Sequence, residues 1–140
     1  MRPHIITLGY KDLERSRRFY EQGLGFKASS ASQDDIVFYP TGGAVLALYP
    51  RKLLAKDAAV PPKGSGFAGL TLAYNVKTKA EVSTVLAKAA KAGGKITKVA
   101  EDAVWGGHSG YFADPDGNLW EVAWNPFFKF DQNGNLKLPR

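Results

Sequence analysis

The sequence predicts an α+β fold in which two βαβββ modules form a curled mixed sheet around a cleft, with the helices on the outer faces. Two observations predict this fold. Each half of the chain combines one amphipathic helical segment with several short runs of strand-like alternation. The halves also repeat, since Thr7-Leu8-Gly9-Tyr10 aligns with Thr71-Leu72-Ala73-Tyr74 and a capped helix follows each. With 140 residues and 44% hydrophobic content, the chain can bury one core shared by two small halves.

The first repeat is expected over about residues 4–50 and opens with a β-branched strand at residues 5–10. Asp12 is a candidate N-cap for a helix that runs from residue 13 to about residue 22 and carries an apolar stripe with helical spacing. Turn residues then separate three further strand candidates. These are residues 26–30, 36–39 and 44–49.

Two segments lie outside the repeats. Residues 51–66 are predicted to be a linker, because they carry consecutive prolines and a Gly-Ser-Gly run, with a short helical turn around residues 53–58. Residues 127–140 predict a hairpin extension with its turn at Asn133-Gly134. The three phenylalanines of this extension should be covered by the cleft, the first sheet or a second subunit.

The second repeat is expected over about residues 67–126 and starts with a strand at residues 69–74. A strongly periodic helix follows, in which Thr78 and Glu81 have the spacing of a capping box and two glycines end the helix. Three strands complete the module. They are residues 95–99, 110–113 and 119–125.

The hairpin formed by the last two of these strands contains the most informative charged residue. Its turn is Asp114-Pro115-Asp116-Gly117-Asn118, where proline, aspartate and glycine each favour one part of a tight turn. After the turn, alternation places Trp120 and Val122 on one face and Glu121 on the other. A carboxylate in the middle of a strand is unfavourable unless something pairs with it, so Glu121 is predicted to be a site residue or an ion-pair partner.

Composition excludes several classes of function. The chain has no cysteine, which rules out disulfides, thiolate metal sites and cysteine nucleophiles. No signal peptide is evident and no window approaches the ~20 apolar residues of a membrane span, so we expect a cytoplasmic protein with no membrane partner. The net charge is +6, but the basic residues are dispersed and lack interleaved aromatics, which argues against nucleic-acid binding and leaves an anionic small molecule open.

Two groups of motifs carry a family resemblance. The first is Ile6-Thr7-Leu8-Gly9-Tyr10-Lys11-Asp12-Leu13 with Phe19-Tyr20 and Leu24-Gly25-Phe26, and the second runs from Phe112 through Asp114-Pro115-Asp116-Gly117-Asn118 to Glu121. With these motifs the chain resembles the vicinal oxygen chelate superfamily, which includes glyoxalase I, bleomycin-resistance proteins, fosfomycin-resistance enzymes and extradiol dioxygenases. The resemblance covers nearly the whole chain and implies one glyoxalase/bleomycin-resistance-like domain over residues 1–140. It does not specify a reaction, because members isomerise, cleave rings, conjugate thiols, epimerise or sequester a drug.

The resemblance also implies a divalent metal in the cleft, held by side chains from inward strand positions, commonly His at the strand starts and Glu near the end. The repeat places four residues at these positions: Ile5, Ala47, Gly69 and Glu121. Only Glu121 matches, whereas hard divalent ions need several oxygen or nitrogen ligands. We therefore expect no cofactor. The alternative is one divalent metal ion bound by Glu121 together with His4 or His108.

Several other residues are candidates for ligand binding near the predicted cleft. Trp105 and His108 belong to a glycine-rich segment expected to form a loop at the cleft mouth, where Trp105 could stack on a planar molecule. The alternative is a surface loop with a packed tryptophan. The remaining candidates are Tyr39, Tyr49, Tyr74 and Thr71, and for the three tyrosines the alternative is ordinary packing.

Three functions stay open at this point. The first is a metal-independent member of the superfamily that binds a small, aromatic or amphipathic molecule, as bleomycin-resistance proteins do. The second is a metal-dependent lyase or dioxygenase-like enzyme that uses Glu121, and the third is a non-catalytic interaction module. We also expect a homodimer, because members of the superfamily often pair modules across chains and the C-terminal hairpin is apolar.

Overall fold

A computed structural model describes residues 1–64 and 66–138, which belong to two compact units, Met1–Leu70 and Thr71–Arg140. Ser65 of the predicted linker and the last two residues of the predicted hairpin extension lie outside the described residues. Within the described ranges, no helix is long and apolar enough to cross a membrane.

The first unit contains three strands and two α-helices. Their bounds are β1 (Ile5–Tyr10), α1 (Leu13–Arg17), β2 (Val37–Pro40), β3 (Val45–Pro50) and α2 (Arg51–Asp57), and α1 continues directly into a π-helical segment at Arg18–Gly23. The strands form a mixed sheet in the order β1-β3-β2, with β1 parallel and β2 antiparallel to β3. As predicted, Asp12 caps α1, because its carboxylate accepts a hydrogen bond from the Arg15 N–H at 3.0 Å.

The helical segment of this unit packs on one face of its sheet. The Tyr20 ring lies 6.1 Å from the Tyr39 ring, and both side chains are completely buried. Alternation therefore places Leu46 and Leu48 on this helix-covered face, whereas Thr7 and Ala47 lie on the opposite face.

The second unit contains one long helix and six strands. They are β4 (Leu72–Val76), α3 (Lys79–Lys91), β5 (Lys95–Asp102), β6 (His108–Ala113), β7 (Leu119–Trp124), β8 (Lys129–Phe130) and β9 (Leu136–Lys137). Four strands form a mixed sheet in the order β4-β7-β6-β5, in which β4 and β7 are parallel and the other pairs antiparallel. The strands β8 and β9 form a separate two-stranded hairpin, which is the predicted extension.

Helix α3 covers one face of the four-stranded sheet. A Cβ atom added to Gly110 would lie 2.6 Å from Leu86 Cδ1, so the helix packs closely only because this position of β6 has no side chain. Thr78 is the N-cap residue, as predicted, but its side chain makes no capping hydrogen bond. The Glu81 carboxylate accepts from the backbone N–H of Lys77, so the expected capping box is not formed in its standard arrangement.

The α+β class and the βαβββ-like order are confirmed, but one predicted strand is wrong. Residues 26–30 form no strand. The Phe26 ring instead packs 5.6 Å from Tyr20 and 5.5 Å from Tyr39, and the Ser29 N–H makes one hydrogen bond to the Phe38 carbonyl. This loop contributes a single apolar anchor to the core, which a short apolar run in the sequence does not distinguish from a strand.

The alignment of the two halves needs a correction of two residues. Ala47 pairs with Thr7, and at the matching position of the second unit Glu121 pairs with Ala73. Thr7 therefore corresponds to Ala73 rather than to Thr71, and the N-caps Asp12 and Thr78 keep the same offset. Ile5 consequently corresponds to Thr71 and not to Gly69. The Thr-Leu-x-Tyr sequence that both halves share suggested the wrong alignment. A shift of two residues nevertheless leaves every side chain on its predicted face.

Candidate functional site

Glu121 lies at the centre of a row of side chains that crosses the second sheet. On β7 it is opposite Ala73 of β4 and Tyr111 of β6, and Tyr111 is in turn opposite Lys98 of β5. Because Gly110 faces α3, alternation turns its neighbour Tyr111, and hence Glu121, towards the other face. We call Glu121, Tyr111 and Lys98 the polar row, and their side of the sheet the α3-free face.

The turn between β6 and β7 sets this arrangement. The Asp114 carboxylate accepts from the backbone N–H groups of Asp116 at 2.9 Å and Asn118 at 2.8 Å, and from the Asn118 side-chain amide at 2.8 Å. Gly117 supplies the positive φ of 87° that the turn requires. The turn pairs Ala113 with Leu119, so counting back along the hairpin brings Tyr111 opposite Glu121.

The electrostatics of the polar row centre on an interaction between Tyr111 and Glu121. Burial raises the pKa of the Tyr111 hydroxyl, and the neighbouring Glu121 carboxylate raises it further, so the hydroxyl is protonated at neutral pH. The Lys98 ammonium forms an ion pair with Glu101 at 3.0 Å and also interacts electrostatically with Glu121. Among residues 1–64 and 66–138, no basic side chain lies within ion-pair distance of Glu121.

Small side chains surround this pair. Ser109 and Ala113 flank Tyr111 along β6 and are both 8% exposed, and Ala123 follows Glu121 along β7 at 3% exposed. Glu121 and Tyr111 are themselves half-buried. The neighbours of the two functional groups along both strands are therefore small and buried, whereas Glu121 and Tyr111 are partly accessible.

His108 and Tyr74, both sequence-predicted ligand residues, lie on the other face of the sheet from Glu121. His108 pairs with Trp124, and Tyr74 pairs with Val122, which alternation places on the side of α3. The predicted loop at His108 is wrong, because the residue is the first of β6.

His108 is tied to two charged neighbours. Its Nδ1 lies 2.9 Å from Asp102 Oδ1, and the same oxygen accepts from Lys79 Nζ at 2.8 Å. Hydrogen bonds from Lys79 and then His108 lower the pKa of Asp102. His108 therefore contributes to a surface cluster and is not brought together with Glu121.

Trp105 lies in the tight turn that joins β5 and β6, where the Ala103 N–H bonds to the Gly107 carbonyl at 2.9 Å. Its indole folds back over Gly107, since a Cβ atom there would lie 1.8 Å from the ring. The side chain remains 43% exposed. Thr71 is exposed and lies immediately before β4.

Tyr39, the candidate of the first unit that is fully buried, matches the packing alternative. Its hydroxyl donates to Glu21 Oε2 at 3.0 Å, and Arg17 Nε donates to the same oxygen at 2.5 Å. Burial and then the bond to Glu21 raise the pKa of Tyr39. Tyr49 lies opposite Gly9 on the helix-free face of the first sheet, and His4 is exposed just before β1.

A groove of about 540 Å³ also runs along the first unit. Its lining consists of Leu13, Glu14, Arg17, Arg18, Glu21 and Gln22. All six belong to one helical segment, so the groove is an open furrow beside that helix and includes none of the candidate residues.

The residues present do not fit the metal site that the resemblance implies. With the corrected alignment, the four positions are Ile5, Ala47, Thr71 and Glu121, of which only Glu121 carries a carboxylate or an imidazole. In the part of the chain that the structure describes, no three His, Asp or Glu side chains are grouped so that they could hold a metal ion. Chemistry at this site is therefore derived from the polar row alone.

Two members of the polar row were missed in the sequence, although a signal for one was present. The Asp114 turn predicts a hairpin in which residue 113 pairs with residue 119, and the same count pairs Tyr111 with Glu121. Lys98 could not be found by counting, because register shifts interrupt the pairing of β5 with β6 on both sides of it.

Comparisons with known proteins agree with this fold. The family described as "Glyoxalase/Bleomycin resistance protein/Dioxygenase superfamily" matches residues 2–122. A solved structure of a glyoxalase-related enzyme from Fulvimarina pelagi is 35% identical, with a TM-score of 0.91 over 100% of this chain and 99% of that chain. No curated protein matches the chain.

Two further solved structures are more distant. A glyoxalase/bleomycin resistance protein/dioxygenase from Nocardioides is 26% identical, with a TM-score of 0.70 over 89% of this chain and 84% of that chain. A lactoylglutathione lyase from Agrobacterium tumefaciens is 21% identical, with a TM-score of 0.66 over 89% and 93%. At 21% identity, the similarity to the lyase shows a shared fold alone.

Proposed function

We propose a function from the premise that this chain belongs to the Glyoxalase/Bleomycin resistance protein/Dioxygenase superfamily, as its sequence predicted. The protein binds a small molecule on the α3-free face of its second unit, and Glu121 anchors a polar or cationic group of that molecule. The ligand is aromatic or amphipathic, and binding requires no metal ion.

One observation carries this proposal: Glu121 is a half-buried carboxylate with a hydroxyl neighbour but without an ion-pair partner among the described residues. Removing a carboxylate from water is unfavourable unless hydrogen bonds and an opposite charge compensate it. Tyr111 places a hydroxyl beside Glu121, and Lys98 interacts with Glu121 electrostatically but forms its ion pair with Glu101. A ligand that brings a cation or an N–H donor would supply the rest.

A metal-dependent lyase or dioxygenase-like enzyme is the second candidate. It is favoured by the 35% identical neighbour, which is named a glyoxalase-related enzyme. Such an enzyme would use Glu121 as a metal ligand. Among the described residues, however, no three His, Asp or Glu side chains are grouped so that they could complete the site. The binding function is preferred because it needs no residue that the site lacks.

We further propose that the protein is a cytoplasmic homodimer, without a nucleic-acid or membrane partner. Exposed aromatic and aliphatic residues near the C-terminus support the dimer, namely Phe127 at 72% and Leu138 at 61% exposed. Light scattering at micromolar concentration should give twice the mass of the 15.2 kDa chain. A species of only one chain's mass would contradict the dimer.

Elemental analysis and thermal shifts together test the binding function. We expect less than stoichiometric divalent metal in tag-free protein, and a rise in Tm with members of a panel of small aromatic and amphipathic compounds. Glu121→Gln should abolish that rise, whereas the matched control Glu14→Gln, which removes an exposed charge from the first unit, should keep it. One equivalent of metal that is lost in Glu121→Gln would favour the enzyme instead.

A further inference from the structure

We propose that Asn133 is a modification site, at which the backbone nitrogen of Gly134 attacks the asparagine side chain and converts residue 133 to aspartate or isoaspartate. The site lies in the turn between β8 and β9. The aspartate product keeps this hairpin closed, whereas the isoaspartate product opens it. The inference goes beyond the proposed function and does not depend on it.

The reaction needs only the chain and water. The Gly134 nitrogen loses its proton to solvent and forms a bond to Cγ of Asn133, while the Cγ–Nδ2 bond breaks and ammonia leaves with a proton from solvent. The product of this step is a five-membered succinimide ring. Water then cleaves one of the two bonds between the ring nitrogen and a carbonyl carbon. Cleavage at Cγ gives aspartate, and cleavage at the backbone carbonyl carbon gives isoaspartate, whose main chain runs through Cβ and Cγ.

The residue that follows each asparagine decides where this attack is possible. Glycine has no Cβ atom that would crowd its nitrogen or restrict the backbone, whereas proline has no N–H group. Asn133 is the one asparagine of the sequence that precedes a glycine. The other four are Asn75, Asn118, Asn125 and Asn135, which precede valine, leucine, proline and leucine.

The position of Asn133 in the fold makes the attack feasible. Asn133 and Gly134 are both exposed to water. In the closed turn, the Gly134 N–H donates to the Asp131 carbonyl oxygen at 3.1 Å, which restrains the nitrogen that must attack. Each strand of the hairpin pairs through two residues, and a two-stranded hairpin is marginally stable in water. Transient opening of the turn therefore releases the nitrogen, and the rate of modification follows the fraction of open turn.

A second turn of the chain shows which product the hairpin tolerates. The carboxylate of Asp131 accepts from the backbone N–H groups two and four residues later at 2.8 and 2.9 Å. In the turn between β6 and β7, the Asp114 carboxylate accepts from the corresponding groups at 2.9 and 2.8 Å. The residue that matches Asn133 there is Asp116. This turn thus accommodates an aspartate at the position where the modification would produce one.

Isoaspartate has a different effect, because it adds one carbon atom to the main chain of the turn. The added atom precedes the N–H groups of Gly134 and Asn135, which both donate to Asp131 in the closed hairpin. Hydrogen bonds weaken steeply when distance and angle depart from their preferred values. We expect the longer turn to lose these bonds, so that β8 and β9 separate.

Peptide mapping of aged protein tests the modification. Full-length protein is incubated at mildly alkaline pH and compared with protein digested at once, and trypsin releases residues 130–137 as one peptide. We expect this peptide to gain about 1 Da, with fragments that identify aspartate and isoaspartate at residue 133. Peptides that contain the other asparagines should gain mass about tenfold more slowly or not at all.

A variant of the turn tests whether its opening controls the rate. Asp131→Ala removes the carboxylate that accepts from two N–H groups of the turn, and it should accelerate the modification about threefold or more. The matched control Asp57→Ala removes an exposed carboxylate from the first unit and should leave the rate unchanged. In amide hydrogen exchange, Asn133→Asp should protect the hairpin as the native residue does, whereas the isolated isoaspartate form should lose protection.

Each part of the inference has a result that overturns it. If residues 130–137 of the protein gain no mass under conditions that convert a synthetic peptide of the same sequence, Asn133 is not a modification site. Equal rates in Asp131→Ala and the native protein would contradict control by opening of the turn. Unchanged hydrogen exchange in the isoaspartate form would show that the longer turn keeps the hairpin closed.

Discussion

Three strands of each main sheet share a topology, but the two sheets differ on their helix-free faces. In the first unit, the row across β1, β3 and β2 is Thr7, Ala47 and Phe38. In the second unit, the matching row across β4, β7 and β6 is Ala73, Glu121 and Tyr111, and β5 adds Lys98. The same backbone register thus carries an uncharged row in one unit and a row with two charged residues in the other.

This difference distinguishes the residues that stabilise the fold from the residues that form the site. The helix-covered faces are similar, because both bury apolar residues such as Leu46 in the first unit and Val122 in the second. On the helix-free faces, Ala47 is completely buried whereas Glu121 is half-buried. The strands pair in the same register with either residue at this position. The chemistry of each unit therefore depends on a few side chains that the pairing of its strands does not require.

The largest effect is expected when the acid is moved to the first unit. Ala47→Glu would place a carboxylate at a completely buried position whose row offers no phenolic hydroxyl. Such a change should lower the free energy of unfolding by roughly 3 kcal/mol or more, as measured by urea denaturation. Ala47→Gln, of similar size but neutral, should be less destabilising. Equal losses of stability in the two variants would show that the size of the new side chain, rather than its charge, causes the loss.

A somewhat smaller effect is expected at the turns that precede the matching strands. Asp114 is 4% exposed and makes three hydrogen bonds, so Asp114→Ala should destabilise the protein by roughly 2–4 kcal/mol. The Thr41 hydroxyl makes an exposed hydrogen bond to the Ala44 carbonyl. Thr41→Ala should therefore lower the free energy of unfolding by less than about 1 kcal/mol.

A matched control for Asp114 exists within the second unit. Asp131 makes the same pattern of bonds to Asn133 and Asn135 in the exposed hairpin of β8 and β9. Asp131→Ala should therefore change stability much less than Asp114→Ala. Comparable losses would mean that the pattern of bonds, and not its position in the main sheet, determines the effect.

A third prediction makes the second unit resemble the first. Glu121→Leu should leave the free energy of unfolding unchanged or raise it by about 1 kcal/mol, because an apolar residue needs no compensation on a partly buried face. The rise in Tm with the aromatic and amphipathic compounds that bind the native protein should be lost in the same variant. A clear loss of stability, checked by thermal and urea unfolding, would indicate that the interactions of Glu121 with Tyr111 and Lys98 stabilise the fold.

The smallest effects concern acid stability, where each unit has a carboxylate whose pKa is lowered chiefly by a basic side chain. The hydrogen bond from Arg17 lowers the pKa of Glu21, and that from Lys79 lowers the pKa of Asp102. Each therefore stabilises the fold above its unfolded pKa, and this contribution is lost as the pH falls through the folded pKa. Glu21 is 26% exposed and Asp102 is 74% exposed, so Glu21→Gln should flatten the acid side of the stability profile more than Asp102→Asn. The midpoints of urea unfolding, measured for both variants between pH 5 and 2.5, would test this ranking. A stronger flattening in Asp102→Asn than in Glu21→Gln would contradict it.

Much of the fold could be predicted because its signals are local. The periodicity of α3, the cap at Asp12 and the turn at Asp114 each depend on residues that are near one another in the sequence. The strand predicted at residues 26–30 failed because Phe26 packs on Tyr20 and Tyr39, a contact that no local pattern encodes.

The site was predicted in part for a similar reason. The face of Glu121 follows from alternation in one strand, and the position of Tyr111 opposite it follows from the count of residues along the hairpin. His108 and Tyr74 were grouped with Glu121 by residue type, but alternation places them on the side of α3. The bond from Tyr39 to Glu21 joins a strand to a helix and could come only from the tertiary structure.

The Asp114 turn also has a consequence for the order of folding. The hairpin of β6 and β7 closes over a few residues, whereas the parallel pair β4–β7 joins segments separated by α3, β5 and β6. Local contacts form faster because less chain entropy is lost on closure. We therefore expect Tyr111 and Glu121 to meet before β4 docks, so that Asp114→Ala mainly slows refolding in stopped-flow experiments instead of accelerating unfolding. Tyr111 and Glu121 would then be brought together as soon as the second unit begins to fold.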